Sequence, residues 1–328
     1  MKINIVGWFG KKNIGDEAFK DAFRIIFLGH DIEFFTPPQQ CPEAELVILG
    51  GGAVISPYYL KTMPQNSPKY ILGASIEYES EMDLLPPHNF QSIMIRNSTD
   101  VLKLKNKVTC PVRDTPDLAF LLNPGEHKIN LGNKSKKLGV MVTDYINPAL
   151  NRSTDKFGKR SSNFIQSLAK ELDGFIENGW DVILIPLSTG GYGNDLRINL
   201  DLMAFMQRQP INITESLSPT EVIAVIKDLD LAMCMKFHAH IFSIIAETPF
   251  ISIEFTRKVK LLLEENNLTE LKSAWFEGDD FYCNFNDVVE KALKNNYSEL
   301  FSKIRKSKVE EILLAMQEIR RDWLGNKL

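Results

Sequence analysis

Short apolar runs that end in glycine or polar loops recur along this chain, and that recurrence leaves few folds open to it. KINIVG at 2–7 reads as a buried strand running into a glycine loop. IEFF near residue 34, ELVILGGG at 45–52, KYILGAS at 69–75 and SIMIRNS at 92–98 repeat the pattern. Such runs are too short for helices and lack polar alternation, so they fit strands of a parallel sheet covered on both faces. Residues 16–28 put Ala18, Phe19, Ala22, Phe23 and Ile26 on one helical stripe. A polar, basic stretch follows at 123–137, NPGEHKINLGNKSKK, and then the alternation restarts. LGVMVT at 138–143, DVILIP at 181–186, LAMCM at 231–235 and FISIEF at 250–255 read as strands. Helices are expected near 161–177, from about Asn194, at 219–228 and from about His238. Ser218-Pro-Thr-Glu221 has the marks of a helix start, with proline in the first turn and an acid near the positive end of the dipole.

The expected architecture is two doubly wound, parallel-sheet α/β halves at 1–125 and 138–296, joined by a linker at 126–137 and facing across a cleft. The 328 residues suit two domains of roughly 150 residues each. The tail at 297–328 reads as one amphipathic helix, with Ile304, Ile312, Leu313, Met316, Ile319 and Trp323 as its apolar stripe. Residues 301–328 carry seven basic and four acidic side chains, so this helix is expected to pack as a closing element and to make weak, salt-sensitive contact with an anionic membrane.

A net charge of −4 excludes a general nucleic-acid footprint, so an anionic ligand would need a local cluster of cations. Cys41, Cys110, Cys234 and Cys283 lie far apart, which fits a reducing compartment rather than a disulfide or zinc framework. The apolar run after Met1 is too short for a signal peptide, and no stretch reaches a membrane span of ~18 apolar residues. A soluble, cytoplasmic chain is expected, with peripheral contact at the inner membrane face at most.

Two loops of the first half are built for close backbone approach. Gly7-Trp-Phe-Gly10 leads into Asn13-Ile-Gly15-Asp16-Glu17, just before a helix, and Gly50-Gly51-Gly52 follows a strand directly. Glycine lets backbone amides approach a ligand and a helix N-terminus favours an anion, although each loop also reads simply as a tight turn. Neither is a Walker loop and neither spells GxGxxG. Asp16 reads either as the helix cap or as a carboxylate that orients or deprotonates a hydroxyl. In the second half, Lys236-Phe237-His238-Ala239-His240 opens a helix after a buried strand, and Thr256-Arg257-Lys258 opens the next one. Two parallel neighbouring strands would bring His238 and Lys258 to one sheet edge, a setting for proton transfer to an anionic substrate. Arg96, at the end of SIMI, is a further candidate for gripping a carboxylate or phosphate. No HExxH or third ligand accompanies the histidines, so no metal is expected.

Taken in order, these residues resemble the polysaccharide pyruvyl transferase family over roughly 3–265. The resemblance rests on GWFGxxNIGDE at 7–17, Gly50–Gly52, IRNS around Arg96, PDLAF at 116–120, Asn194-Asp195, and HAxIFSIIAETPFISIEFTRK at 238–258. It implies a GT-B-like fold of two Rossmann-type halves, with phosphoenolpyruvate as donor substrate and no cofactor. It further implies His238 as general acid, Lys258, Lys236 and Arg96 as donor grips, and Asp16 as base or acceptor-orienting group. Gly10, Asn13, Gly15 and Gly50–Gly52 would then line the acceptor side, the acceptor being a sugar or glycan, free or lipid-linked. The sequence departs from the family at Lys236-Phe237, where Arg-Leu is usual, and at Arg96-Asn97, where Arg-Asp is usual. The alternatives are a nucleotide-sugar glycosyltransferase of similar architecture and a catalytically silent scaffold in a glycan-assembly complex.

Overall fold

A computed structural model describes residues 1–143, 154–190, 193–277 and 280–324. The chain divides into two compact units, one formed by 1–122 with 305–328 and the other by 123–304.

The first unit holds a six-stranded sheet in the order β2-β1-β3-β4-β5-β6, with every neighbouring pair parallel. Its strands are β1 (Lys2–Val6), β2 (Asp31–Phe35), β3 (Leu46–Gly52), β4 (Lys69–Ala74), β5 (Ser92–Ile95) and β6 (Val112–Asp114). β3, β4 and β5 are buried at every residue, including Lys69 and Ser92 at the starts of β4 and β5, and their remaining residues are apolar or glycine as two-sided burial requires. Helix α1 (Ile14–Ile26) buries Ala18, Phe19, Ala22, Phe23 and Ile26, the stripe read from the sequence. It begins two residues earlier than expected, because Asn13 caps it by accepting from the Gly15 amide and Asp16 lies inside the first turn. Two short helices, α2 (Pro57–Leu60) and α3 (Ser98–Leu104), follow β3 and β5.

The second unit holds a seven-stranded sheet, ordered β13-β12-β11-β10-β7-β8-β9. β7 (Lys136–Met141), β8 (Trp180–Leu184), β10 (Leu231–Cys234) and β11 (Phe250–Glu254) follow the predicted alternation with α4 (Thr154–Glu177), α5 (Asp195–Phe205), α6 (Pro219–Lys227) and α7 (Phe237–Ala246), and the two-residue edge strand β9 (Ile211–Asn212) is an addition to it. At Ser218 the expected start of α6 is a full capping box, with Ser218 and Glu221 each bonded to the other's backbone amide. The sheet is not wholly parallel. After α8 (Arg257–Glu265), β12 (Lys272–Glu277) and β13 (Asp280–Cys283) form an antiparallel edge hairpin that the sequence reading did not separate, and α9 (Phe285–Lys294) follows it.

α10 (Tyr297–Leu324) is the long C-terminal helix. Its buried face is Phe301, Ile312, Ala315, Met316 and Ile319, whereas Leu313, expected on the stripe, is 51% exposed. Positions 312, 315, 316 and 319 keep helical spacing, and residue 313 stands one position, about 100°, off that face. Trp323 lies where side chains are not described. Among the described residues no helix is long and apolar enough to cross a membrane.

Candidate functional site

In both sheets the strand order reverses beside the first strand of the unit. The reversal falls between β1 and β3 in the first sheet and between β7 and β10 in the second. Open α/β sheets bind ligands outside the carboxyl ends of the strands at such points. The residues singled out by sequence follow those ends.

In the first unit, β1 runs into Gly7–Gly10 and β3 ends in Gly50–Gly52. The Gly10 amide donates to Glu17 Oε1, so the first helical turn reaches back and closes the loop. Gly51 and Gly52 have φ of +78° and +79°, a region in which L side chains are strained. A Cβ on Gly51 would also stand 2.5 Å from Phe19 Cγ, and one on Gly52 would stand 3.0 Å from Asp16 Oδ1. These glycines therefore let α1 lie close against β3 and bring the Asp16 carboxylate to the sheet edge. Burial, and then the charge of Asp16, push the Tyr59 hydroxyl well above its usual pKa, so it stays neutral.

Arg96 follows β5 but does not project openly as a grip. Its side chain is 7% exposed, forms an ion pair with Asp117, donates to Ser75 Oγ at 2.8 Å, and lies over the Phe19 ring at 5.7 Å. The other oxygen of Asp117 accepts from the Ala119 amide at 2.9 Å. The IRNS and PDLAF segments are thus two halves of one buried contact. Asn97 caps α3 by accepting from the Thr99 and Asp100 amides, a task at which asparagine equals aspartate.

In the second unit, β10 and β11 are parallel neighbours, with Cys234 opposite Ser252. Lys236–His238 and Thr256–Lys258 therefore follow adjacent carboxyl ends, where α7 and α8 begin. Neither helix has a side-chain cap bond at its start, and the positive end of each helix dipole lies at this edge of the sheet. His238 is partly buried, with its ring 5.5 Å from Phe237 and 5.9 Å from Phe242, while Lys258 is exposed in the first turn of α8. His240 takes a different place. It is fully buried, with Nδ1 2.8 Å from the Lys236 carbonyl and Nε2 2.8 Å from Ser252 Oγ. A carbonyl only accepts, so Nδ1 carries the proton and Ser252 donates to Nε2. Burial pushes this imidazole down to about 4. His240 therefore fixes the turn that carries Lys236 and His238.

Lys236 is held as well. Its ammonium lies 2.6 Å from Asp195 Oδ2, which also accepts from the Leu187 and Ser188 amides at 3.0 and 2.8 Å. Asp195 is fully buried, and its second oxygen has no hydrogen-bond partner among the described residues. From sequence, Asn194-Asp195 is only part of the family resemblance, and Asp195 has no role of its own. The signal available was an acid directly after a helix-capping asparagine, a cue that is weak without the fold. Among the described residues, no three His, Cys, Asp or Glu side chains are grouped so as to hold a metal ion.

The sequence model of one family, described as polysaccharide pyruvyl transferase, matches residues 9–255. The chain belongs to that family. The match spans both units and every candidate residue except Lys258. No curated protein matches the sequence. Among solved structures, this pyruvyl transferase family member is similar to the UDP complex of S. aureus MnaA, with a TM-score of 0.61 and 9% identity over 100% of this chain and 97% of that one. It is also similar to the N-terminal domain of Candida albicans trehalose-6-phosphate phosphatase, with a TM-score of 0.52 and 9% identity over 100% and 97% of the two chains. Similarity to the glycosylation-associated Gap123 complex of Streptococcus agalactiae has a TM-score of 0.42 at 12% identity, and covers 89% of this chain but about half, 54%, of that one. At 9% identity the likeness to the first two is one of fold alone. The α/β class with two mostly parallel sheets and GT-B neighbours, expected from sequence, is the observed one.

Proposed function

We propose that this family member transfers the pyruvyl unit of phosphoenolpyruvate to two hydroxyls of a sugar, forming a cyclic ketal and releasing phosphate. The observation that carries the reading is the His238 turn at the strand-order reversal of the second sheet, with α8 opening after the neighbouring parallel strand. His238 gives a proton to the methylene carbon of the donor. The neighbouring carbon becomes electron-poor, and one sugar hydroxyl attacks it. Phosphate then leaves, and a second hydroxyl closes the ketal. Lys258 and the amides that open α7 and α8 hold the carboxylate and phosphate of the donor, by the ordinary preference of helix N-termini for anions. Lys236 supports them from its pairing with Asp195. Asp16 serves the acceptor, orienting a hydroxyl or taking its proton, and Arg96 braces that region through Asp117. No step needs a metal or cofactor.

The test is phosphate release from phosphoenolpyruvate across a panel of sugar acceptors, run with the wild type and His238→Ala. Loss of a general acid is expected to lower turnover by ~10²–10⁴-fold. Wild-type turnover in the variant would remove His238 from the mechanism. Tight binding of a nucleoside diphosphate sugar with no affinity for phosphoenolpyruvate would replace the whole reading with glycosyl transfer.

A further inference from the structure

At the carboxyl end of β1, the chain exposes aromatic rings that the donor chemistry does not use. Trp8 lies 6.4 Å from Tyr58 and 6.5 Å from Tyr59, measured between ring centroids. Tyr58 in turn lies 5.3 Å from Tyr59, nearly edge-on at 85°. Tyr59 is buried, Trp8 is partly exposed, and Tyr58 is 39% exposed. The Tyr58 hydroxyl is already committed, donating to the Pro37 carbonyl at 2.8 Å, so what Tyr58 offers to solvent is ring.

The backbone beneath Trp8 is fixed from both sides. The Gly7 amide donates to the Phe35 carbonyl at 3.0 Å, and the Phe9 amide donates to Thr36 Oγ1 at 2.8 Å. The Thr36 hydroxyl returns a bond to the Gly7 carbonyl at 2.9 Å. A ring carried on so well-tied a loop keeps its orientation without a ligand, which lowers the ordering cost of binding. Past it the chain turns through Lys12 at φ +58°, an uncommon conformation for a residue with a side chain, and this turn presents exposed lysines at 11 and 12.

The electrostatics select the ligand. Lys11 Nζ stands 5.4 Å from the Trp8 ring, and Lys61 Nζ stands 5.7 Å from the Tyr58 ring, both lysines being exposed. Aromatic faces are negative, so they suit the C–H face of a pyranose as well as an ammonium ion. The flanking ammonium groups then call for an anion on the same ligand. Tyr59 adds direction, because its hydroxyl feels the charge of Asp16 and so ties the candidate base to the aromatic cluster.

We propose that Trp8 and Tyr58, flanked by Lys11 and Lys61, form a stacking platform for the sugar ring of an anionic glycan acceptor. The anion is either a diphosphate linkage or a sugar carboxylate. This deepens the acceptor side of the proposed function and rests on that reading for its catalytic meaning, but the binding itself requires no donor.

The test therefore measures binding to the full-length protein in the absence of phosphoenolpyruvate. The probes are a short prenyl-diphosphate N-acetylhexosamine, a glucuronate-containing disaccharide and a neutral disaccharide, followed by calorimetry. At least one anionic probe should bind about tenfold more tightly than the neutral one, and Trp8→Ala should lose about tenfold of that affinity. Trp8→Phe, which keeps a ring in the loop, should retain most of it. Lys11→Ala with Lys61→Ala should abolish the preference for the anionic probe, and which probe is preferred identifies the source of the charge. Equal binding of neutral and anionic probes, unchanged affinity in Trp8→Ala, or no binding of any probe overturns the platform. So would a concentration-dependent dimer that Trp8→Ala dissolves, since a second copy of the chain would then own the surface. If probe binding follows this pattern while no phosphate is released from phosphoenolpyruvate, the platform stands and the donor reading fails.

Discussion

Replacing His240 with glutamine separates its structural role from the chemistry of His238 two residues earlier. His240 is buried among apolar walls, with its imidazole pushed down from 6.5 to about 4. The unfolded chain takes up a proton near 6.5, and the folded chain resists until about 4. The stability owed to the neutral ring is therefore complete above pH 6.5, drains away as pH falls from 6.5 towards 4, and is gone below that. At ~1.4 kcal/mol per pH unit the full loss is ~3 kcal/mol, of which ~2 kcal/mol should have gone by pH 5. Hydrogen exchange of the β10–α7 segment, measured at pH 8 and pH 5 and corrected for intrinsic rates, reads this opening free energy without assuming that both units unfold together. Glutamine can still donate and accept near the imidazole positions but does not titrate. The His240→Gln variant should start from a lower protection at pH 8, and its further loss by pH 5 should be smaller than that of the wild type by ~2 kcal/mol. Parallel losses in the two proteins would refute the argument, because they would mean that other groups carry the whole pH dependence.

The Asp195–Lys236 pair should behave as a buried ion pair with one partly wet end. Asp195→Ala is expected to cost roughly 2–4 kcal/mol of local stability in the second unit, below the full penalty for stranding a buried charge because Lys236 can turn to water, whereas Asp195→Asn should cost nearer ~1 kcal/mol. Hydrogen exchange of α5 and α7 measures both, and equal losses in the two variants would show that the charge is irrelevant. In the first unit, Gly51→Ala combines left-handed strain with a Cβ driven into Phe19, and should destabilise by roughly 2–4 kcal/mol. Pairing it with Phe19→Ala should relieve only the steric share, and full rescue would show that the positive φ costs nothing.

The sheets were legible in the sequence because strands buried on both faces have to be apolar throughout, and few other elements look like ELVILGGG or DVILIP. The edge of the second sheet was not. β12 and β13 carry Lys272, Trp275, Glu277 and Tyr282, an amphipathic mixture held by cross-strand stacking of Trp275 on Tyr282 at 5.9 Å, and such pairing is invisible until the register is known. The start of α1 slipped for a local reason. Asn13 and Asp16 are both good caps by residue type, and only the bond to the Gly15 amide decides between them. For the candidate site, the sequence told which loops gather at which sheet edge, since that follows from strand order. It did not tell which charged side chains are already spoken for. Arg96 and Lys236 look like free cations in a string of letters, yet each meets a buried carboxylate, at Asp117 and at Asp195, more than twenty residues away.

That difference bears on Asn97 and Lys236, two of the residues at which the resemblance to the family is broken. Both lie in motifs that suggest ligand contact, yet the partners they have in the folded unit are its own. Asn97 needs only an oxygen to accept two helix amides, so the loss of a carboxylate there leaves the cap intact. Lys236 reaches Asp195 Oδ2 with its single ammonium and leaves Oδ1 buried without a hydrogen-bond partner among the described residues, a bond that an arginine fork could supply. The asparagine therefore keeps its scaffold bonds, whereas the lysine keeps one of the two that an arginine could make with Asp195.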